Sequence, residues 1–337
     1  MGTRTTQFIA EIVEELPHAL VVDAVRRHGT SWYHTARPPA PPDHLRRSLA
    51  HHAHESETLT TESRSSSMNP VVSKDGTTIA FDSSGQGPAV ILISPAFGTR
   101  ADAASLAAAL APDFTVFAYD RRGRGGSGDT APYAVEREVE DLDAVIEAAG
   151  GSAFVFGHSS GAVLALDAAQ VLPTRITRLA LYEPPFIVDD SRPPMPEGFA
   201  AHLIELIAAG RRGDAVEYWQ TQLGIPAEAI AQMRASPMWA GFEALAPTLP
   251  YDATIMGDTQ RGNALPLGRW ASVKVPTLVM DGTKMMGSEY FHTFMRHGAD
   301  ELARVLPNAQ RRILEGQDHG PADDVLAAAL RAFFLDS

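Results

Sequence analysis

The sequence predicts an α/β fold in which a mostly parallel central sheet is flanked by helices and carries a helical cap insertion. Three observations predict it. From Met68 onward, short apolar runs alternate with apolar residues at helical spacing. One interval of about ninety residues, Pro184 to Lys274, interrupts that rhythm. The stretch Gly157-His158-Ser159-Ser160-Gly161 lies between an apolar run and a small-residue helical segment. Strands and helices alternating at this spacing bury a parallel sheet on both faces.

Residues 1–67 read as an N-terminal extension, partly helical and then a flexible linker. Phe8, Ile9, Ile12, Val13 and Leu16 share one helical face, Ala36 to Pro42 is turn-rich, and Ser65-Ser66-Ser67 closes a polar tail. Residues 68–337 read as the folded domain. Pro70 to Ser73 and Thr77 to Phe81 flank Asp75-Gly76, a two-residue hairpin signal. Buried-strand runs follow at Ala89 to Ser94, Phe114 to Tyr119, Ala153 to Phe156, Ile176 to Tyr182, Val275 to Met280 and Arg312 to Leu314. Helical patterns lie between them, such as Val135, Val139, Leu142, Val145 and Ile146, and Leu326, Leu330, Phe333 and Phe334 close the chain. The interval at about 184–270 is too long for a simple crossover. It holds helical patterns of its own (Leu203, Ile204, Leu206, Ile207; Val216, Trp219, Leu223), so it reads as a cap over the carboxyl edge, where open α/β sheets place their ligands.

Composition narrows the function. A net charge of −13 argues against a nucleic-acid or anionic-membrane partner, whose binding surface would need clustered Lys and Arg. The absence of cysteine removes disulfides, thiolate nucleophiles and cysteine metal sites together. No apolar run has the length of a membrane span, and the first residues lack a secretory signal, so the expected location is cytoplasmic. No pattern in the sequence specifies an oligomeric state.

The chemistry starts at Ser159. In a G-x-S-x-G turn between strand and helix, a serine hydroxyl is thrust out of a sharp bend and glycines on both sides relieve crowding. Such a nucleophile needs a base, and histidine has the side chain best matched to working pH. Five histidines remain in the domain: 158, 202, 292, 297 and 319. His158 adjoins the serine and is expected to point away from the groove and pack. His202, His292 and His297 read as surface residues. His319, flanked by Gly316 and Gly320 between the last strand and the last helix, is the candidate base.

The chain resembles the α/β-hydrolase superfamily over residues 70 to 335. The resemblance rests on the Asp120-Arg121-Arg122-Gly123-Arg124-Gly125-Gly126-Ser127-Gly128 loop, the elbow at Ser159, and the histidine before the last helix, in that order. It implies an acyl-enzyme mechanism with Ser159 as nucleophile and His319 as base. It also implies an acid soon after the strand at Val275 to Met280, but Gly282-Thr283-Lys284-Met285 puts methionine there. Some haloalkane dehalogenases of the superfamily take their acid from the preceding strand end. Glu183 holds that place here, followed by Pro184-Pro185; Asp281 is the alternative, and Asp318 adjoins His319 too closely to reach back to its ring.

One oxyanion N–H is expected from Ser160, and a second from Ala96 or, alternatively, Phe97, because Pro95 has no N–H to give. The implied reaction is hydrolysis of a small carboxylic ester, lactone or related acyl compound, with no cofactor and no metal. Cap aromatics (Trp219, Met238-Trp239, Tyr251) favour an apolar or aromatic substrate. Acyl transfer and perhydrolysis would use the same residues. A ligand-binding member of the fold with little turnover is the alternative of another class.

Overall fold

The computed structural model describes residues 69–284 and 289–336. The N-terminal extension and Met285 lie outside the described residues. The chain opens with β1 (Asn69–Val72) and β2 (Thr78–Gly85), joined by a hairpin. That loop corrects the two-residue expectation: Ser73 N–H bonds to Thr77 C=O, leaving Lys74, Asp75 and Gly76 between them. Gly76 takes a φ of 88°, the left-handed residue that closes a three-residue loop.

The rest alternates: β3 (Ala89–Ile93), α1 (Ala104–Leu110), β4 (Thr115–Tyr119), α2 (Val135–Ala148), β5 (Ala153–His158), α3 (Ser160–Val171) and β6 (Ile176–Tyr182). The insertion read from the sequence as a cap follows as α4 (Phe199–Ala208), α5 (Arg212–Gln222), α6 (Ala227–Ala235), α7 (Trp239–Leu245) and α8 (Leu249–Met256), with short 3₁₀ turns reaching Trp270. The sheet then resumes with β7 (Thr277–Gly282), α9 (Glu289–Val305), β8 (Ala309–Leu314) and α10 (Asp323–Phe334). Several strand boundaries move from the sequence reading, β2 running on to Gly85 and β5 to His158. β7 starts after Val275-Pro276, since proline cannot donate to a central ladder, and β8 begins three residues earlier than its predicted run, at Ala309-Gln310-Arg311.

The eight strands lie in the order β1-β2-β4-β3-β5-β6-β7-β8. β1 and β2 are antiparallel to their neighbours, and β3 to β8 are all parallel. Apolar side chains fill both faces. One core packs Ile91, Val155, Leu179 and Val279 against α2, α3 and the cap, while the other packs Leu92, Phe156, Ala180 and Met280 against α1 and α10. Because side chains alternate along a strand, near-continuous apolar runs are what a sheet covered on both sides requires.

This topology positions the site. The chain leaves β3 for β4 on one side and returns to β5 on the other, which opens a crevice at the carboxyl ends of β3 and β5. Ser94, Ser159, Glu183 and, further along, His319 all follow the carboxyl ends of parallel strands. Among the described residues, no helix is long and apolar enough to cross a membrane.

Candidate active site

At the end of β5, Ser159 turns the chain at φ 55° and ψ −123° directly into α3. Few residues other than glycine adopt a positive φ, so neighbouring contacts must hold this one. Its N–H bonds to Tyr182 C=O on β6 at 2.9 Å, and Ser159 C=O accepts from Ala162 N–H. The flanking glycines are needed for space. A Cβ at Gly157 would lie 2.5 Å from Gly161 O, and one at Gly161 would lie 2.7 Å from the carbonyl oxygens of Ile93 and Ser94. The elbow thus presses β5, α3 and the end of β3 together.

β6 ends level with β5, Tyr182 pairing with His158. Glu183 turns away from the strand at φ 45°, tied by its N–H to Met280 C=O at 2.9 Å. Its carboxylate is 4% exposed and fully engaged. Oε1 accepts from Gly282 N–H at 3.0 Å, and Oε2 lies 2.6 Å from His319 Nδ1. Burial would push the Glu183 carboxyl up; the His319 hydrogen bond and charge, the Gly282 N–H and the charge of His292 outweigh it and hold the carboxyl below its usual range. Glu183 is therefore an anion that fixes one ring nitrogen of His319.

The loop after β7 holds the histidine segment in place. Lys284 N–H bonds to Gln317 C=O at 2.8 Å, and Thr283 Oγ1 accepts from Gly316 N–H at 2.7 Å. Gly282 permits the approach, because a Cβ there would lie 2.1 Å from Gln317 O and 2.9 Å from the Tyr182 hydroxyl. Tyr182 itself donates to Asp318 C=O. The Asp318 carboxylate caps Gly320 N–H at 2.9 Å and takes no part at the ring.

The alternative acid, Asp281, stays within β7 and is fully buried, but it serves another neighbourhood. Its carboxylate pairs with Arg296 at 3.1 Å and Arg311 at 2.8 Å. Two histidine readings need correction. The His158 ring does not turn away; it packs 4.7 Å from the His319 ring and 5.6 Å from Tyr182. Desolvation and the His319 charge depress its pKa far below the ordinary value, so it packs there as a neutral ring. His292 is half-buried rather than on the surface, with Nε2 lacking a partner among the described residues, and its charge acts on Glu183. Its position in α9 gave no sign of this, since only tertiary packing turns that face toward β6. His202 and His297 are exposed, as expected, pairing with Glu205 and Asp189.

Across the crevice, Gly98 N–H bonds to Pro95 C=O at 3.1 Å, closing a turn with Ala96 and Phe97 at its centre. Phe97 has φ 61°, and neither central N–H has an acceptor among the described residues. Ser160, first in α3, likewise carries an N–H that the helix cannot use. The Phe97 ring meets Trp219 and Phe242 of the cap edge-on, at 6.2 and 5.1 Å. Trp239 packs against Phe242, whereas Tyr251 stacks on Tyr133 at 3.8 Å and bonds to Asp129. The stacked Tyr251 braces the cap on the loop before α2.

Beneath this turn lies a buried charge network built on two arginines of the 120–128 loop, whose partners no short motif announces. Arg121 grips Glu138 with two bonds of 2.7 and 2.8 Å, and donates to Asp252 of α8 at 2.7 Å. Arg124 donates to the other Asp252 oxygen at 2.6 Å and to the carbonyls of Pro95 and Gly98 at 2.6 and 3.2 Å. Ser160 Oγ donates to Asp252 Oδ1 at 2.7 Å. Burial would raise the Asp252 pKa, but Arg124, Arg121 and Ser160 hold it below the usual range, so Asp252 meets the two arginines as an anion.

Comparison with known proteins bears on the fold. The sequence pattern of the alpha/beta hydrolase family matches residues 90–331. An alpha/beta hydrolase from Sphaerobacter thermophilus is 54% identical with a TM-score of 0.72, covering 79% of this chain and 100% of that one. A thermophilic esterase from Thermogutta terrifontis shares the fold at 21% identity and a TM-score of 0.58, over 80% of this chain and 98% of its own. Two curated relatives match over shorter stretches. The lipase LipV of Mycobacterium tuberculosis is 33% identical over 82 residues, 24% of this chain and 31% of its own length. The uncharacterized hydrolase YraK of Bacillus subtilis is 31% identical over 120 residues, 34% of this chain and 44% of its own. The chain thus spans less than half the length of either curated relative.

Proposed function

The chain belongs to the alpha/beta hydrolase family, and from that premise we propose that it is a serine hydrolase acting on a small carboxylic ester, lactone or related acyl compound. One observation carries the reading: the 2.6 Å contact between Glu183 Oε2 and His319 Nδ1, beside a serine held at positive φ in the elbow. Fixing Nδ1 as the protonated nitrogen leaves Nε2 as the acceptor for the Ser159 proton. Ser159 Oγ then attacks the acyl carbon, and the negative charge gathers on the carbonyl oxygen. The N–H of Ser160 and that of Ala96 or Phe97 meet this oxyanion. Collapse expels the alcohol, which takes its proton from His319, and water reverses the sequence to release the acid.

The aromatic faces of Phe97, Trp219 and Phe242 support an apolar or aromatic acyl group. Fluorophosphonate labelling tests the reading. Ser159 should be the labelled residue, p-nitrophenyl esters should be turned over, and Ser159→Ala should abolish both. Folded protein that takes no label and cleaves no ester from a panel of acyl esters and lactones would favour a binding protein built on the same fold.

A further inference from the structure

We propose that Asp252, a residue of the cap, is the positioning residue for both oxyanion donors, so that the cap is a working part of the site. The proposal rests on Ser159 as the nucleophile, since only then do these N–H groups have an oxyanion to meet. Asp252 is 0% exposed, and Ser160 is 1% exposed. Through Oδ1, Asp252 accepts the Ser160 hydroxyl proton at 2.7 Å, gripping the residue whose own N–H is one donor. Through Oδ2 it holds Arg124, whose other arm bonds to Pro95 C=O and Gly98 C=O, the two ends of the turn that carries the second donor. A single carboxylate therefore reaches one wall of the oxyanion hole through a hydroxyl and the opposite wall through a guanidinium.

Geometry makes this more than packing. Oxyanion donors act only if they are aimed at where charge develops, and an error of a fraction of an ångström loses most of the benefit. Both donors here sit on backbone that would not hold itself. Ser160 follows a residue at φ 55°, and Phe97 has φ 61°. Arg121 completes the clamp by holding Asp252 from the side of α2, through Glu138. α8 packs against α3, so the element that supplies Asp252 already lies on the helix whose first residue it grips.

The test uses the whole protein with Ser160→Ala, Asp252→Asn and the double variant, assayed on a p-nitrophenyl ester and with phenylboronic acid as a tetrahedral mimic. Ser160→Ala removes one buried oxygen atom and leaves the N–H, so it should fold. Its kcat should fall about tenfold with KM within twofold, and boronate affinity should fall in step. Asp252→Asn should lose about a hundredfold, and the double variant should be no worse than Asp252→Asn alone, because the two act as one unit. An unchanged kcat in Ser160→Ala, or losses that simply multiply in the double variant, would overturn the clamp while leaving the serine hydrolase reading intact. A loss confined to KM would overturn it too. Wild-type protein that neither takes a fluorophosphonate nor cleaves an ester would instead overturn the serine hydrolase reading, and the clamp with it.

Discussion

Two neighbouring strands, β6 and β7, each deliver a buried carboxylate near the carboxyl edge of the sheet, and the two serve opposite ends. Glu183 lies one residue past the strand and turns away at φ 45°, so its longer side chain reaches His319. Asp281 remains inside β7, where the pleat directs it to Arg296 and Arg311. Both are almost completely buried, at 4% and 0% exposure, so burial alone does not separate them. They stand level in register, since Tyr182 pairs with Met280, and what separates them is the backbone turn at Glu183 and its longer side chain. A carboxylate at the edge of an active crevice is not thereby part of it; the partner nitrogen decides.

That contrast can be broken by substitution. Glu183→Gln should reduce kcat about 10³–10⁴-fold, because the ring loses both its tautomer control and the stabilisation of its cation. Asp281→Asn should keep kcat within a few-fold while lowering stability by about 1–3 kcal/mol, discounted for the partial exposure of its two arginines. Steady-state kinetics and urea unfolding on the same preparations read the two axes, and the reverse ranking in rate would move the acid to β7.

Gly282→Ala sharpens the same comparison at smaller amplitude. Its Cβ would strike Gln317 O and the Tyr182 hydroxyl, displacing the segment that presents His319, so a loss of about 10–100-fold in kcat is expected. Slower fluorophosphonate labelling in a protein that still melts cooperatively would locate the damage at the histidine loop; full activity would show that the loop yields freely.

The smallest effect is on pH. Glu183 and Asp252 have folded-state pKa values below their ordinary ones. The stability they contribute is present above the unfolded carboxylate range, about pH 4, and is lost as pH falls through the folded values. Acid unfolding should be shallower in Glu183→Gln than in the parent, and an identical acid limb in both would show that Glu183 is not held down in the folded protein.

Much of this was legible in the sequence. Alternating apolar runs gave the strands, because a sheet covered on both faces must be apolar on both. The elbow at Ser159 and the glycine-flanked His319 were visible because their backbone demands are local. The choice of Glu183 rests on a resemblance and a missing residue: Met285 stands where an acid is usual. Local signals could not give the Asp252 contact with Ser160, which joins residues 92 apart in the chain. The inward face of His292 was hidden for the same reason. The hairpin loop was misread by one residue because Asp-Gly suits more than one turn, and the Ser73 to Thr77 pairing decides which forms.

Three residues other than glycine hold a positive φ among the described residues: Phe97, Ser159 and Glu183. Each such conformation costs on the order of 1–3 kcal/mol, and all three stand around one crevice. For anyone seeking a hardier version of this protein, these are positions where a survey of backbone strain would recommend glycine. They are also where glycine would delete the nucleophile, remove the carboxylate on His319, or strip the ring that meets the cap. Gains in thermal tolerance should therefore be sought at the far ends of the helices that flank the sheet and in surface loops, because the strain at this end is inseparable from the groups it presents.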